Sequence, residues 1–261
     1  MIKYILSRGC RFLDLEIFSI NDIPTISYSI DSEYSINTEN QITLSNVLKI
    51  ISENGFMKPS PNPSDPLFIQ LRIKTKKTDT QIYKKIAMSL HKHLGHRLYK
   101  GIVTGSTILS DLFGKIIIIV DKSISPNYHS VENSCISSSK DCYDLKDYVN
   151  IESGGNQLRV FKYNQIINQQ TTPYYINDDG ISTDLQVMKY VYPDSDFSMF
   201  GILRNPSPVQ LITDYGVQMI GYRFYQCDTN LQIYEKIFSD YGSAFIPMSK
   251  MAGIVNTIDT V

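Results

Sequence analysis

The chain contains no tryptophan, and its four cysteines form no C-x-x-C pair. It also lacks a long apolar run, because the most apolar stretch, residues 116–120, has the length of a strand and falls far short of the ~20 residues that a membrane span needs. The first residues are too polar for a signal peptide. We therefore expect a protein that is not transmembrane and lies inside the cell, with Cys135 and Cys142 able to bridge but reduced.

Charge of neither sign dominates. The sequence has 25 basic and 26 acidic residues and a formal net charge of −1, so no global attraction to nucleic acid or anionic lipid follows. Lys74, Lys76 and Lys77 form a local basic run that is either a patch for an anionic partner such as lipid headgroups or an ordinary solvated segment. Because no aromatic residues alternate with these lysines, we expect no nucleic-acid binding.

Several catalytic patterns are also missing. There is no Gly-x-Ser-x-Gly elbow and no glycine-rich phosphate loop. His93 and His96 have a spacing suited to one helical face, but Gly95 between them is expected to end the helix. We therefore predict no metal site and no cofactor.

Alanine is scarce, occurring at three positions, whereas isoleucine, asparagine, lysine, tyrosine and serine are abundant. This usage is typical of AT-rich coding, which is found in many large DNA viruses, some protists and some bacteria. The composition bears on the source and carries no information about mechanism.

Helical and strand periodicities alternate through the first half. Residues 11–17, Leu67–Ile73 and 115–121 have strand patterns, the last of them apolar enough to be buried on both faces. A helical face ends near Gly55, and a second helix, capped by Asp79, ends at Gly95. This alternation predicts a parallel sheet in an α/β fold.

The pattern weakens over residues 123–184, which are rich in Ser and Asn and read as a partly mobile connection containing a short strand at 158–163. Strands are then predicted at 187–192, 217–224 and 244–247, with a helix capped by Asp228 between the last two. We divide the chain into parts 1–122, 123–184 and 185–261 of one structural domain.

The turn Arg8-Gly9-Cys10-Arg11, followed by the alternating acids Asp14 and Glu16, resembles the start of the X region of eukaryotic-type phosphoinositide-specific phospholipase C. Further fragments similar to the X and Y regions follow in the family's order: residues 24–28, 67–71, 114–118, 191–193, 207–209, 216–220 and 240–242. The resemblance implies a distorted TIM-type (β/α) barrel of the PLC-like phosphodiesterase type, with an X-like half in 1–122, a Y-like half in 185–261 and the family's first strand absent from the chain.

The family's catalytic set is two histidines and a calcium ion held by an asparagine and three acids. The resemblance implies that the first histidine and the asparagine would precede Met1 and that Tyr28, a poor base at neutral pH, stands at the second histidine position. Asp14 and Glu16 keep the acidic pair, while Arg72 stands where the family has its fourth ligand. Arg72 either fills the vacated cation position beside the two acids or points to solvent.

The phosphate-binding positions are also changed. Ile119 and Asp121 stand where the family has basic residues, with Lys122 one step away, and Tyr190 replaces the arginine of the Y region. The neighbouring Tyr192 is kept, so Tyr190 and Tyr192 are candidate residues at the mouth of the barrel.

We therefore predict a catalytically inactive PLC-like barrel that acts as a structural or protein-interaction module, with a viral particle as one setting. Two alternatives remain. One is a phosphoinositide phosphodiesterase completed by a partner chain. The other is an adaptor that binds a lipid surface through Lys76 and Lys77 without turnover.

Overall fold

The computed structural model describes residues 1–29, 36, 38–76, 79, 81–130, 135, 142–168, 188–194 and 204–251. It consists of two compact units, Met1–Gly155 and Asn156–Val261. The boundary between them falls inside the predicted connection, and the three-part division stays a prediction.

The first unit is built on six strands: β1 (Phe12–Ile20), β2 (Ile23–Ile26), β3 (Ile42–Thr43), β4 (Leu67–Ile73), β5 (Ile116–Asp121) and β6 (Ile151–Ser153). They follow the order β3-β2-β1-β4-β5-β6. The pairs β1–β4, β4–β5 and β5–β6 are parallel, whereas β2 folds back on β1 and pairs with it antiparallel. The parallel sheet predicted for this half is confirmed, and β5 is buried along its whole length.

Three helices accompany this sheet: α1 (Ile2–Ser7), α2 (Leu44–Asn54) and α3 (Gln81–Leu94). The side chain of Thr43 caps α2 by accepting a hydrogen bond from the backbone of Asn46. The predicted helical face of α2 is fully buried, and α3 ends immediately before Gly95 as expected. Two 3-10 turns lie at Leu109–Leu112 and Leu145–Asp147.

The two faces of this sheet differ because side chains alternate along each strand. Apolar residues such as Leu15, Leu71 and Ile118 belong to the core that the sheet shares with the helices. The opposite face carries polar residues, since Asp14 is paired with Gln70 in the β1–β4 register. The fold thus collects polar groups on one face near the carboxyl ends of the parallel strands.

The second unit contains β7 (Leu158–Lys162), α4 (Tyr163–Asn168), β8 (Met188–Tyr192), α5 (Pro208–Thr213), β9 (Met219–Ile220) and α6 (Thr229–Tyr241). Its three strands run parallel in the order β7-β8-β9. Asp228 caps α6 as predicted, by accepting from the backbone of Leu231, and Gly242 ends this helix with a left-handed φ of 77°.

The strand predicted at 244–247 is wrong. The hydroxyl of Ser243 accepts a hydrogen bond from the Phe245 backbone, and Pro247, which lacks a donor, leads into a helical turn. The strand predicted at 217–224 shrinks to β9, while β6 and α4 lie in a stretch read as a connection. These elements have three and six residues, too few to give a periodic signal.

The expected reduced state of the cysteines is wrong for one pair. Cys135 and Cys142 form a disulfide, with their Cα atoms 5.7 Å apart, because the chain brings the two backbones within bridging distance. The thiol of Cys10 donates to the carbonyl of Phe12, and Cys227 is exposed. Disulfides are more typical of oxidising compartments, and the intracellular location stays a prediction.

In the ranges given above, no helix is both long and apolar enough to cross a membrane.

Candidate functional site

The charged residues of β1 and β4 lie on one face of the sheet. Asp14 and Glu16 are two positions apart on β1, and Arg72 is directly opposite Glu16 in the parallel register. Lys74 follows Arg72 by two positions, so strand alternation places it on the same side. Two acids and two bases therefore meet near the carboxyl ends of adjacent strands.

Arg72 binds both acids. Its Nε donates to Asp14 Oδ1 at 2.8 Å, and its Nη2 lies 2.7 Å from Asp14 Oδ2, which makes a two-bonded guanidinium–carboxylate pair. Its Nη1 lies 3.1 Å from Glu16 Oε1. The structure thus has Arg72 facing the acids, and the alternative in which it points to solvent does not hold.

Lys74 completes the cluster from the other side of Glu16. Its Nζ donates to Glu16 Oε2 at 2.8 Å and to the carbonyl of Ser29 at 3.0 Å. The backbone N–H of Ser29 lies 3.4 Å from the same glutamate oxygen. The segment after β2 therefore contributes backbone groups that hold the Lys74–Glu16 pair in place.

Lys74 consequently does not belong to an exposed basic patch, which corrects one of the candidate anion-binding residues. The reason is that residue 74 continues the alternation of β4 and meets Glu16. Lys76 is exposed, and Lys77 lies outside the described residues.

The cluster is largely removed from solvent and internally balanced. The side chains of Arg72 and Asp14 are 12 % exposed, that of Glu16 9 % and that of Lys74 10 %. Buried carboxylates are stable when charged partners and hydrogen bonds offset the loss of hydration. Two formal positive charges here face two formal negative charges.

Asp121 lies near this cluster at the end of β5. Burial raises the pKa of its carboxyl group, while hydrogen bonds from Ser123 and the positive charge of Arg72 oppose that shift. Both the backbone N–H and the hydroxyl of Ser123 donate to Asp121 Oδ1, at 3.0 and 2.5 Å. The next residue, Lys122, instead binds Glu152 at 2.8 Å.

Sequence reasoning missed Gln70, which is fully buried on the charged face in register with Asp14. Neither its side-chain oxygen nor its nitrogen has a hydrogen-bond partner among the residues that the structure describes. The alternation of residues 70, 72 and 74 on one strand was the available signal, because it groups Gln70 with Arg72 and Lys74.

The residues present do not fit a calcium site of the kind that the resemblance implies. Calcium takes six to eight oxygen ligands, whereas three of the four carboxylate oxygens of Asp14 and Glu16 are bound by Arg72, and the fourth by Lys74. A guanidinium has no lone pair to offer a metal. Over the described ranges, no group of three or more His, Cys, Asp or Glu side chains is arranged to hold a metal ion.

The remaining candidates are Tyr28, which precedes the Ser29 contact with the cluster, and two tyrosines of β8. Tyr28 follows β2 and is 40 % exposed. Tyr190 and Tyr192 belong to β8 of the second unit, where their rings stack with centroids 6.0 Å apart and Tyr190 is buried. The assignment of Tyr28 as a degenerate catalytic position and of the two β8 tyrosines as mouth residues stays a prediction.

Two histidines of α3 make side-chain contacts within the first unit. His91 stacks on Tyr143 with ring centroids 4.6 Å apart, and His93 lies 2.7 Å from the hydroxyl of Ser45. The prediction that this histidine cluster binds no metal stays a prediction.

Comparison with known proteins identifies the N-terminal part of the chain. Residues 1–122 match the family described as phosphatidylinositol-specific phospholipase C, X domain. A search of curated proteins finds no match.

Two solved structures share the fold of the chain as a whole. The crystal structures of PLC21 from L. pealei and from S. officinalis each match with a TM-score of 0.61 and 14 % sequence identity, over 91 % of this chain and 32 % of the PLC21 chain. The fold is therefore α/β and resembles the PLC-like TIM-type barrel. This chain corresponds to about a third of the length of those PLC21 chains.

Proposed function

We propose that this chain, whose residues 1–122 match the family of phosphatidylinositol-specific phospholipase C X domains, is a non-catalytic relative of that family. In this proposal the chain acts as a structural or protein-interaction module. The bridging of Asp14 and Glu16 by Arg72 is the observation that carries the proposal.

The chemical reason lies in what the cluster leaves available. Cleavage of a phosphodiester needs a general base, a general acid and a cation that stabilises the developing negative charge. Here the carboxylates are neutralised by Arg72 and Lys74, whose donors are directed at those carboxylates. Position 28 carries a phenol, and phenols are weak bases at neutral pH because their reference pKa is about 10.

The same cluster suits a structural role. A guanidinium that joins Asp14 to Glu16, together with an ammonium that joins Glu16 to Ser29, links β1, β4 and the segment after β2. A domain whose acidic pair is held by internal cations suits the recognition of another molecule better than it suits catalysis. A viral particle as the setting stays a prediction based on composition.

The experiment is hydrolysis of phosphatidylinositol and its phosphorylated forms by the purified chain, with calcium and with chelator. An active calcium-dependent phospholipase C assayed in parallel controls for substrate presentation. We expect no release of inositol phosphates above the no-protein blank, and no change in the thermal unfolding midpoint on adding calcium.

Calcium-dependent turnover would overturn the proposal and favour the phosphodiesterase alternative. Turnover that appears when a second chain is added would instead support completion of the site by a partner.

A further inference from the structure

A second surface lies at the opposite end of the same strands. β1, β4 and β5 are parallel, so α1 and the loops 55–66 and 95–115, which precede or lead into these strands, meet at their amino ends. We call α1 together with these two loops the amino-end surface. It is distinct from the ion-pair cluster, which lies toward the carboxyl ends.

Direct contacts join these segments into one surface. The guanidinium of Arg11, at the start of β1, donates to the hydroxyl of Ser60 at 2.7 Å and to the carbonyl of Gly55. The backbone of Gly114 donates to the carbonyl of Ser64 at 2.7 Å, which ties the second loop to the first.

α1 is held against the same loop at Gly9. Its φ of 90° is in the left-handed region, and a Cβ at this position would lie 2.9 Å from Pro61 Cγ, so the approach requires glycine. The three segments are therefore fixed relative to one another.

Exposed apolar side chains concentrate on this surface. Among the described residues of the first unit, seven of the eleven large apolar side chains that are exposed lie here: Met1, Tyr4, Met57, Ile102, Ile108, Leu109 and Phe113. The exposed fraction reaches 70 % for Ile102 and 65 % for Ile108. Single exposed apolar residues are ordinary on protein surfaces, but a concentration on one face marks an interaction site.

Their exposure does not come from an unstructured loop. Val103 and Leu112 are buried, and they anchor the second loop on either side of Ile108. Backbone hydrogen bonds from Thr107 to Thr104 and from Phe113 to Ser110 fix the turns between these anchors. The loop thus holds the apolar side chains outward while two neighbours are packed inward.

Basic residues accompany these apolar ones. Lys3, Lys58 and Lys100 are exposed, one on each segment, and none forms an ion pair with another described residue. In the two loops, Asp65 is buried and Asp111 is the exposed acid. The accessible charge of this surface is therefore predominantly positive.

We propose that the amino-end surface binds an anionic lipid bilayer. Apolar side chains that insert among acyl chains and lysines that contact anionic headgroups are the two features by which a protein binds at a membrane interface. The side chains project from the surface, and a fluid bilayer receives projections without a complementary groove. A second copy of this chain would instead bring like-charged lysines together.

The amino-end surface shares no residue with the ion-pair cluster on which the proposed function rests. Binding by this face directs the carboxyl ends of the strands away from the bilayer. It also differs from lipid binding through Lys76, which follows β4 at the carboxyl end.

The test is co-sedimentation of the full chain with vesicles of phosphatidylcholine plus phosphatidylserine, compared with phosphatidylcholine alone. The variants are Ile108→Asp with Phe113→Asp, and Lys58→Gln with Lys100→Gln. Ile23→Asp is the matched control, since Ile23 is a half-exposed apolar residue at the carboxyl end of the sheet. Circular dichroism and the unfolding midpoint verify that each variant folds.

We expect the chain to bind the anionic vesicles and to bind less as salt rises. Each double variant should lower the partition coefficient by about tenfold or more, and Ile23→Asp should leave it unchanged.

Three results would overturn the proposal: failure of the unaltered chain to bind anionic vesicles, equal loss of binding in Ile23→Asp, or no loss in either double variant. A chain that dimerises through Ile108 without binding vesicles would assign the surface to a second copy. Phosphoinositide turnover would refute the proposed function and leave this inference intact, so the two failures are distinguishable.

Discussion

The two ends of the parallel strands in the first unit use basic residues in opposite ways. At the carboxyl ends, Arg72 and Lys74 are buried and bound to Asp14 and Glu16. At the amino ends, lysines such as Lys58 are exposed beside exposed apolar side chains. A basic residue is therefore available for recognition only where no internal partner binds it, because a paired cation has few hydrogen-bond donors left for a ligand.

The largest expected effect comes from removing the central cation of the carboxyl end. Arg72→Met leaves Asp14 without the two-bonded partner seen in the structure, and we expect it to lower the free energy of unfolding by about 3–5 kcal/mol. Arg72→Lys should cost less than Arg72→Met because it keeps a positive charge beside the acids. It should still lower stability, because one ammonium cannot bridge both acids as a guanidinium does. Urea unfolding monitored by circular dichroism measures both.

Adding Asp14→Asn and Glu16→Gln to Arg72→Met should recover much of that loss, since the stranded charges are then gone. A cost below about 1 kcal/mol for Arg72→Met alone would mean that the cluster is solvated, contrary to its low exposure.

A smaller effect on stability is expected from the lysine of the cluster, and an exposed lysine close by provides a matched control. Lys74→Met removes the ammonium between Glu16 and Ser29, and we expect a loss of about 1–3 kcal/mol in unfolding free energy. Lys76→Met, two residues further along and exposed, should change it by less than about 0.5 kcal/mol. Equal effects in parallel urea titrations would contradict the assignment of Lys74 to the cluster.

The stability contributed by Asp121, near the carboxyl-end cluster, is expected to depend on pH. Burial raises the pKa of its carboxyl group in the folded state, so the folded protein binds this proton more readily than the unfolded chain does. The contribution to stability therefore falls as pH rises from the ordinary aspartate pKa of 3.8 through the raised value. Asp121→Asn, whose amide oxygen still accepts from Ser123, should be as stable as the unaltered chain at pH 7 or more stable, by less than about 1 kcal/mol.

Thermal unfolding of both proteins between pH 4 and 7 tests this sign. The difference in unfolding midpoint between the two proteins at each pH isolates the contribution of Asp121, because all other titrating groups are common to both. The stability of Asp121→Asn could instead fall relative to that of the unaltered chain as pH rises. The Asp121 carboxylate would then be favourable in the folded state, and the expected sign would be wrong.

The smallest effect concerns the amino end. Ile108 is exposed, so Ile108→Asp should change the unfolding free energy by less than about 0.5 kcal/mol, whereas Leu112→Ala in the same loop should cost about 2–4 kcal/mol. Denaturant titration of the Ile108→Asp and Leu112→Ala variants distinguishes an exposed side chain available for binding from a buried one needed for folding. A large loss in Ile108→Asp would show that this side chain packs within the fold.

Several elements of both units could be predicted from local patterns. The apolar face of α2, the cap of α6 at Asp228 and the buried strand β5 each depend on residues close in sequence. Periodicity and capping are local properties, so they can be read without knowing the fold.

The candidate site was predictable only in part. Arg72, Asp14 and Glu16 could be grouped because strand alternation and the family resemblance converge on them. The role of Lys74 could not be predicted from the sequence, because it depends on the β1–β4 register and on the segment at Ser29. The neighbouring lysines suggested a solvated basic segment instead. The Cys135–Cys142 disulfide likewise depends on how the chain closes, which spacing alone does not specify.

Arg72 lies between Asp14 and Glu16 and binds both carboxylates, and we propose that it thereby takes the place of a metal ion. Calorimetric titration of the purified chain with calcium tests it most directly, with Asp14→Asn as the comparison. We expect no saturable binding of calcium in either protein, because the carboxylate oxygens are already bound. Saturable calcium binding by the unaltered chain that Asp14→Asn abolishes would contradict it.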